Sequence, residues 1–221
     1  MQGKVVVVTG GLGFLGSAVI AAAKAAGAKT VAIDLAQGQS DADLTLGGVD
    51  LVQDAAAAME RVVKEFGGID GLANIAGGFT WTKVADSALD AWTSTYLVNI
   101  GTTLGASVAA LPHLKARNGA IVNVAAAGAA SAGLGMGPYA AAKSGVLRLT
   151  ESLAEELKEE GVRVNAVSPT IIDTPVNRTH MADADFSRWV QPSDLAQTIL
   201  YLLSDKAGAI TGANLLTAGR V

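Results

Sequence analysis

Residues 5–16 read VVVVTGGLGFLG. Four consecutive valines cannot divide into a wet and a dry face, so they describe a strand buried on both sides, as in a parallel sheet. Thr9-Gly10-Gly11-Leu12-Gly13-Phe14-Leu15-Gly16 then turns the chain and opens a helix. Glycines at such a turn permit a tight bend, let backbone approach a pyrophosphate and allow close packing of helix on sheet. The free amides of the new helix meet the negative charge. A plain structural turn would also use glycine; the place of these glycines, at the end of a first strand, is what points to a dinucleotide.

Further apolar runs occur at Thr30–Ile33, Ile69–Asn74, Ala120–Val124, Val162–Val167 and Asn214–Thr217, with Val49–Val52 the only strand-like piece of 35–53. Helical patterns lie between them at Ser17–Ala26, Asp54–Phe66, Ser87–Leu114, Met136–Glu160 and Pro192–Ser204. Gly27 and Gly67 are natural C-terminal stops, and Asp54 is placed to cap the helix after it. Strand and helix in alternation predict an α/β, doubly wound parallel sheet. With 221 residues, no internal repeat and no linker, one domain over 1–221 is expected.

Half of the residues are apolar, which supports a packed core rather than disorder. The net charge is −4 and the basic residues are scattered, so nucleic acid is not expected as a partner. The absence of cysteine excludes disulfides and thiolate metal sites. The apolar run near Met1 is too short for a signal peptide. The small-residue stretch 119–142 is broken by Asn123, several glycines and Pro138, and does not read as a membrane span. A soluble, cytoplasmic protein without a membrane partner is expected.

Asp34 ends the second strand, about twenty residues past the glycines, where a carboxylate accepts hydrogen bonds from the adenosine ribose. It would repel a 2′-phosphate, and no arginine follows it closely, so NAD (as NADH) is favoured over NADP. A solvated loop aspartate is the alternative. Tyr139 and Lys143 stand four apart at the end of VAAAGAASAGLGMGPYAAAK, residues 124–143. On a helix they share one face, where an ammonium would favour phenolate and improve the tyrosine as an acid–base group. By itself the pair is a weak pattern.

Together, TGGLGFLG, Asp34, Asn74-Ile75-Ala76-Gly77, Asn99 in YLVNIGTT, Tyr139 with Lys143, and RVNAVSPTIIDTP follow the motif order of the short-chain dehydrogenase/reductases, which the whole chain resembles. The resemblance implies a single Rossmann-type domain with a parallel sheet of about seven strands flanked by helices. It implies catalytic roles for Tyr139, Lys143 and Asn99, the last supporting a proton-relay water. Cofactor contacts are implied for Gly10, Gly11, Leu12, Gly13, Phe14, Leu15, Asp34, Leu35, Asp50 and Leu51. Asn74, Ala76, Gly77, Tyr139, Lys143, Pro169, Thr170, Ile172 and Thr174 would complete the nicotinamide side.

Three departures stand out. Gly13 replaces a family glycine expected at Phe14, and Thr170 follows Pro169 where glycine is usual. The family's substrate-orienting serine belongs thirteen residues before Tyr139, which is Ala126, flanked by Ala125 and Ala127. Losing such a donor can cost on the order of 10²–10³ in rate where chemistry depends on it. The dihydropteridine reductase branch does without that serine. This chain resembles it in residues 172–189, IDTPVNRTHMADADFSRW, in AGG at 76–78 and in GMGPYAAAK. That likeness implies NADH-dependent reduction of a conjugated C=N or quinonoid acceptor.

Phe79, Trp81 and Trp189 fall in loops at the expected substrate side, with Ala126 and Met136 as further wall; each aromatic either stacks on a flat heterocycle or anchors its loop. A lid is expected around 173–191. His180 and His113 read as surface residues, and the run Glu155–Glu160 as helix surface rather than a metal site. Two rival functions remain open: a general carbonyl or alcohol oxidoreductase, and a protein that holds NAD without redox turnover. Relatives form oligomers, so the resemblance implies a homodimer or homotetramer acting on a small-molecule substrate.

Overall fold

The computed structural model describes residues 1–221. Seven parallel strands form one sheet in the order β3-β2-β1-β4-β5-β6-β7. They are β1 (Val5–Thr9), β2 (Lys29–Ile33), β3 (Leu44–Leu46), β4 (Gly71–Asn74), β5 (Ala120–Val124), β6 (Arg163–Pro169) and β7 (Asn214–Thr217). The valine run divides its side chains between two cores. Val5 and Val7 pack with Met59, Val62, Ala106, Ala110 and Leu114, whereas Val6 and Val8 pack with Val19, Ile20, Leu195 and Ile199. Burial of each such side chain contributes roughly 1.5–3 kcal/mol, so slipping β1 by one residue would exchange two full sets of contacts.

Helices α1 (Phe14–Ala25) and α7 (Pro192–Leu203) cover one face; α2 (Ala55–Phe66), α4 (Thr102–Lys115) and α5 (Gly137–Leu157) cover the other. α3 (Leu89–Tyr96) runs into α4 through a π-helical turn at Leu97–Gly101. The continuous stretch Leu89–Lys115 is long and apolar enough to cross a membrane by length and composition. Its residues Ala106, Ala110 and Leu114 are built into the sheet's core. The short α6 (Pro175–His180) follows β6.

Two local readings are corrected. The third strand is Leu44–Leu46, whereas Val49–Val52 lies in the turn before α2. Leu44–Leu46 pairs in register with Val31–Ile33, and Asp50 takes the 49–52 segment out of the sheet by accepting from the Val52 amide at 2.9 Å. Asp54 does not cap α2 with its side chain; its carboxylate accepts from the Asp50 amide at 3.2 Å instead. Gly27 and Gly67 adopt the left-handed backbone expected of helix stops, at φ 81° and 78°.

Candidate active site

The chain leaves β1 toward β2 on one side and resumes at β4 on the other, so a crevice opens at the carboxyl ends of β1 and β4. A cleft of about 410 Å³ occupies that place. Gly10, Gly13, Phe14 and Leu15 form one wall; Asp34, Leu35, Asp50 and Leu51 form the edge over β2; Ala76, Gly77 and Thr174 close the third side. Gly16 and Ile75, both inside the quoted motifs, line it too, and so do Val49, Val98 and Thr102, which were not singled out as site residues from sequence. Val98 and Thr102 flank Asn99 on its helix and Gly16 ends the glycine motif, so motif position held that signal.

Each glycine of the loop meets a different demand. Gly10 has φ 65°, and a Cβ there would lie 2.9 Å from the Ala76 amide nitrogen, so the loop touches the β4 exit. A Cβ at Gly16 would stand 2.1 Å from the Gly10 carbonyl oxygen, and one at Gly11 would meet Ala32. α1 follows Gly13 as its N-cap, with no side-chain cap and no acidic residue in its first turn. Its first amides are therefore left for an outside acceptor, and that fits a pyrophosphate.

Asp34 holds the edge from both oxygens, accepting from the Leu12 amide and the Ala36 amide at 3.0 Å each. No lysine or arginine lines the cleft. The buried Asn74 lies behind it, donating to Ser107 Oγ at 3.0 Å and to Asn123 Oδ1 at 2.9 Å, so its contribution is to the sheet end rather than to the wall. Pro169 ends β6; the Thr170 hydroxyl turns away to donate to the Ala218 carbonyl at 2.7 Å; Ile172 bridges Val190.

Tyr139 and Lys143 rise from the first turns of α5, with Pro138 near its start. Lys143 Nζ donates to the Val124 carbonyl at 2.7 Å and lies 5.9 Å from the Tyr139 ring centroid. Asn99 sits in the π-helical turn. Its Nδ2 donates to the carbonyls of Gly78 at 3.0 Å and Thr95 at 2.9 Å, which ties the loop following β4 to this helix. Its own carbonyl accepts from Thr103 Oγ1 at 2.7 Å. A Cβ at Gly77 would lie 2.7 Å from Asn99 Oδ1 and 3.4 Å from Lys143 Nζ, so the three residues meet at one point. Such turns recur at functional sites because they break the regular hydrogen-bond ladder.

The electrostatics depart from the simple expectation of an ammonium lowering the tyrosine. Burial pushes the Tyr139 phenol up to about 12 and the Lys143 ammonium down to about 8. Desolvation outweighs attraction because the ammonium faces a carbonyl and the ring.

On the substrate side, Phe79 meets Tyr139 edge to face with centroids 5.0 Å apart. Trp81 lies over Gly135, where a Cβ would be 2.2 Å from Cε2, and Met136 packs toward Gly128 and Gly133. Ala126 is buried just beyond β5. Trp189 is not brought to this mouth: it is 4% exposed and packs on Phe186 at 4.7 Å, anchoring its own segment. His180 is exposed at the end of α6.

A doubly wound sheet with a glycine-lined crevice and a Tyr–Lys–Asn cluster beside it defines a dinucleotide-dependent dehydrogenase fold. The family model described as enoyl-(acyl carrier protein) reductase matches residues 15–219. The chain is 35% identical to a D-threitol dehydrogenase of Mycolicibacterium smegmatis, over 99% of this chain and 93% of the relative. It is 33% identical to 2-(S)-hydroxypropyl-CoM dehydrogenase 3 of Xanthobacter autotrophicus, over 96% of this chain and 94% of the relative. The structure of Thermoplasma acidophilum aldohexose dehydrogenase is similar at a TM-score of 0.91 and 26% identity, covering 99% of this chain and 94% of that one. The chain belongs to the short-chain dehydrogenase/reductase family and is an oxidoreductase of it, in a family that binds NAD(P).

Proposed function

We propose that this chain is an NADH-dependent reductase of a conjugated C=N or quinonoid small molecule, with a dihydropterin-like ring as the acceptor class. The observation that carries this reading is Ala126. It stands where β5 delivers the chain to the site, and it has no hydroxyl. The nearby hydroxyls are otherwise engaged or outside: Ser144 donates to the Ala129 carbonyl, and Ser131 is exposed. A ketone concentrates negative charge on one oxygen as hydride arrives, and stabilising it calls for more than one donor. A conjugated C=N or quinonoid ring spreads that charge itself, so the Tyr139 phenol alone suffices. Phe79 and Trp81 provide flat apolar surface beside it.

Bound in the cleft, a reduced nicotinamide would supply the hydride. The chain's own task is to hold it and to deliver the matching proton. The uncapped first turn of α1 would bind the pyrophosphate. Asp34 would bind the ribose hydroxyls and, with no basic residue on that wall, favour NADH. Tyr139 would give its proton to the acceptor nitrogen or oxygen, and Lys143 would compensate the phenolate left behind. Asn99 would keep the relay from Lys143 toward solvent in place.

A second reading is an alcohol or ketone oxidoreductase, favoured by the relatives' names and by the intact Asn99–Tyr139–Lys143 cluster. Stopped-flow NADH oxidation with quinonoid dihydropterin, a cyclic imine and an aryl ketone separates the two. Faster turnover of the ketone overturns the proposal. We also propose a second copy of the chain as partner, on the exposed apolar face carrying Leu97, Leu104 and Val108; a monomer mass in solution light scattering would refute it.

A further inference from the structure

Little holds α6 down, since none of its six residues is buried. Its start is local: Thr174 accepts from the Asn177 amide at 3.2 Å, and Asn177 Nδ2 donates to the Ile172 carbonyl at 2.8 Å. One turn on, Arg178 closes a fork on Asp173, with Nε to Oδ1 at 2.6 Å and Nη2 to Oδ2 at 2.7 Å. Asp173 is fixed in turn. Its amide donates to the Val190 carbonyl at 2.8 Å, and its Oδ2 accepts from Gln191 Nε2 at 3.1 Å. The Arg178 guanidinium lies 4.9 Å from the Phe186 ring centroid, and Phe186 rests on the buried Trp189. Contacts therefore run unbroken from core to α6, and Thr174, between Asp173 and α6, lines the cleft.

We propose that Asp173, Arg178, Gln191 and Phe186 form a latch that holds Thr174 at the cleft, making Arg178 a positioning residue for the nicotinamide half of the bound dinucleotide. This rests on reading the cleft as a nicotinamide dinucleotide site. An exposed ion pair contributes little to structure, about 0–1 kcal/mol. This pair differs in three respects: it is bidentate, its carboxylate is only 7% exposed, and a ring covers the cation. Hydrogen bonds from Arg178, then Gln191, hold the Asp173 carboxyl at about 2, so the latch stays charged at neutral pH. Lysine at 178 would keep the charge and lose the fork.

The test compares affinity for NADH with affinity for ADP-ribose, which lacks the nicotinamide, in wild type, Arg178→Ala and Arg178→Lys. Hydrogen exchange of residues 174–186 is followed in the cofactor-free protein. The latch requires NADH binding to weaken about fivefold in both variants, the low end of coupling between separate positions, with ADP-ribose binding unchanged. Exchange over 174–186 should quicken while β1–β6 stay protected. Unchanged NADH affinity, or equal weakening of both ligands, overturns the latch. If wild type binds neither ligand, the cleft reading itself falls and the latch with it.

Discussion

Lys143 gives a hydrogen bond to the carbonyl of Val124, 2.7 Å away, from one turn beyond Tyr139 on α5. The end of β5 thus sets the position of the ammonium, and burial holds that ammonium at about 8 against an ordinary 10.5. A lysine depressed in this way binds fewer protons folded than unfolded between those two values. Stability therefore rises with pH across that window, and the burden of the buried charge is fully present below it. Lys143→Met removes the titration and leaves the Val124 carbonyl without its donor. The expected result is that wild type gains on the order of 3 kcal/mol relative to the variant between pH 7 and pH 10.5. Urea unfolding of both at several pH values checks this; parallel curves would mean that the ammonium is solvated.

Ala126→Ser restores a hydroxyl where the family resemblance expects one. Ketone reduction is expected to rise by roughly tenfold or more, a conservative share of what one oxyanion donor supplies. Reduction of a C=N acceptor should change by less than about twofold, since its charge is already dispersed. Initial rates with the same acceptor panel decide. If both activities stay level, the missing hydroxyl does not govern acceptor choice.

Asp34 has two tasks, because the oxygens that would meet a ribose also take the amides of Leu12 and Ala36. Asp34→Ala is expected to weaken NADH by about tenfold, as befits lost charge-assisted hydrogen bonds, while relieving the repulsion of a 2′-phosphate. Asp34→Asn should keep more of the NADH affinity, since one amide oxygen can still accept. Dissociation constants for NADH and NADPH in the three proteins measure this. An unchanged NADH to NADPH ratio would place cofactor choice elsewhere.

The parts of the site legible in sequence are those where one residue type answers one local demand. Glycines at Gly10 and Gly16 are required by backbone contacts that a Cβ would violate, and Asp34 follows a strand at a set distance. Helical spacing puts Tyr139 and Lys143 on one face, and only the resemblance to the family made that pair a site. The third strand was not legible: Leu44–Leu46 is a three-residue edge piece, and only pairing with Val31–Ile33 makes it a strand. Trp189 was placed at the substrate side because an aromatic in a loop carries no mark of which way it turns, and packing turned it onto Phe186. The Tyr139 phenol at about 12 was equally hidden, since desolvation depends on residues distant in sequence.

Trp81 and Gly135 test the substrate wall. Gly135 has φ 74°, and a Cβ would stand 2.2 Å from Cε2 of Trp81 and 2.3 Å from its Nε1. Gly135→Ala therefore imposes a left-handed alanine, at roughly 1–2 kcal/mol, and also pushes the indole off its seat. Trp81→Ala removes the same ring without backbone strain. If the indole forms part of the acceptor's surface, both variants raise the acceptor KM by about tenfold, the scale of one lost stacking contact. NADH affinity stays as it was, because the contact is remote from Asp34 and α1. Only Gly135→Ala lowers the melting temperature appreciably. The double variant should show the KM of Trp81→Ala alone, since the ring that alanine displaces is already gone. Steady-state kinetics and thermal unfolding of the three proteins give the answer. An unchanged KM in Trp81→Ala would make this tryptophan an anchor of its loop and leave Phe79 as the aromatic surface beside Tyr139.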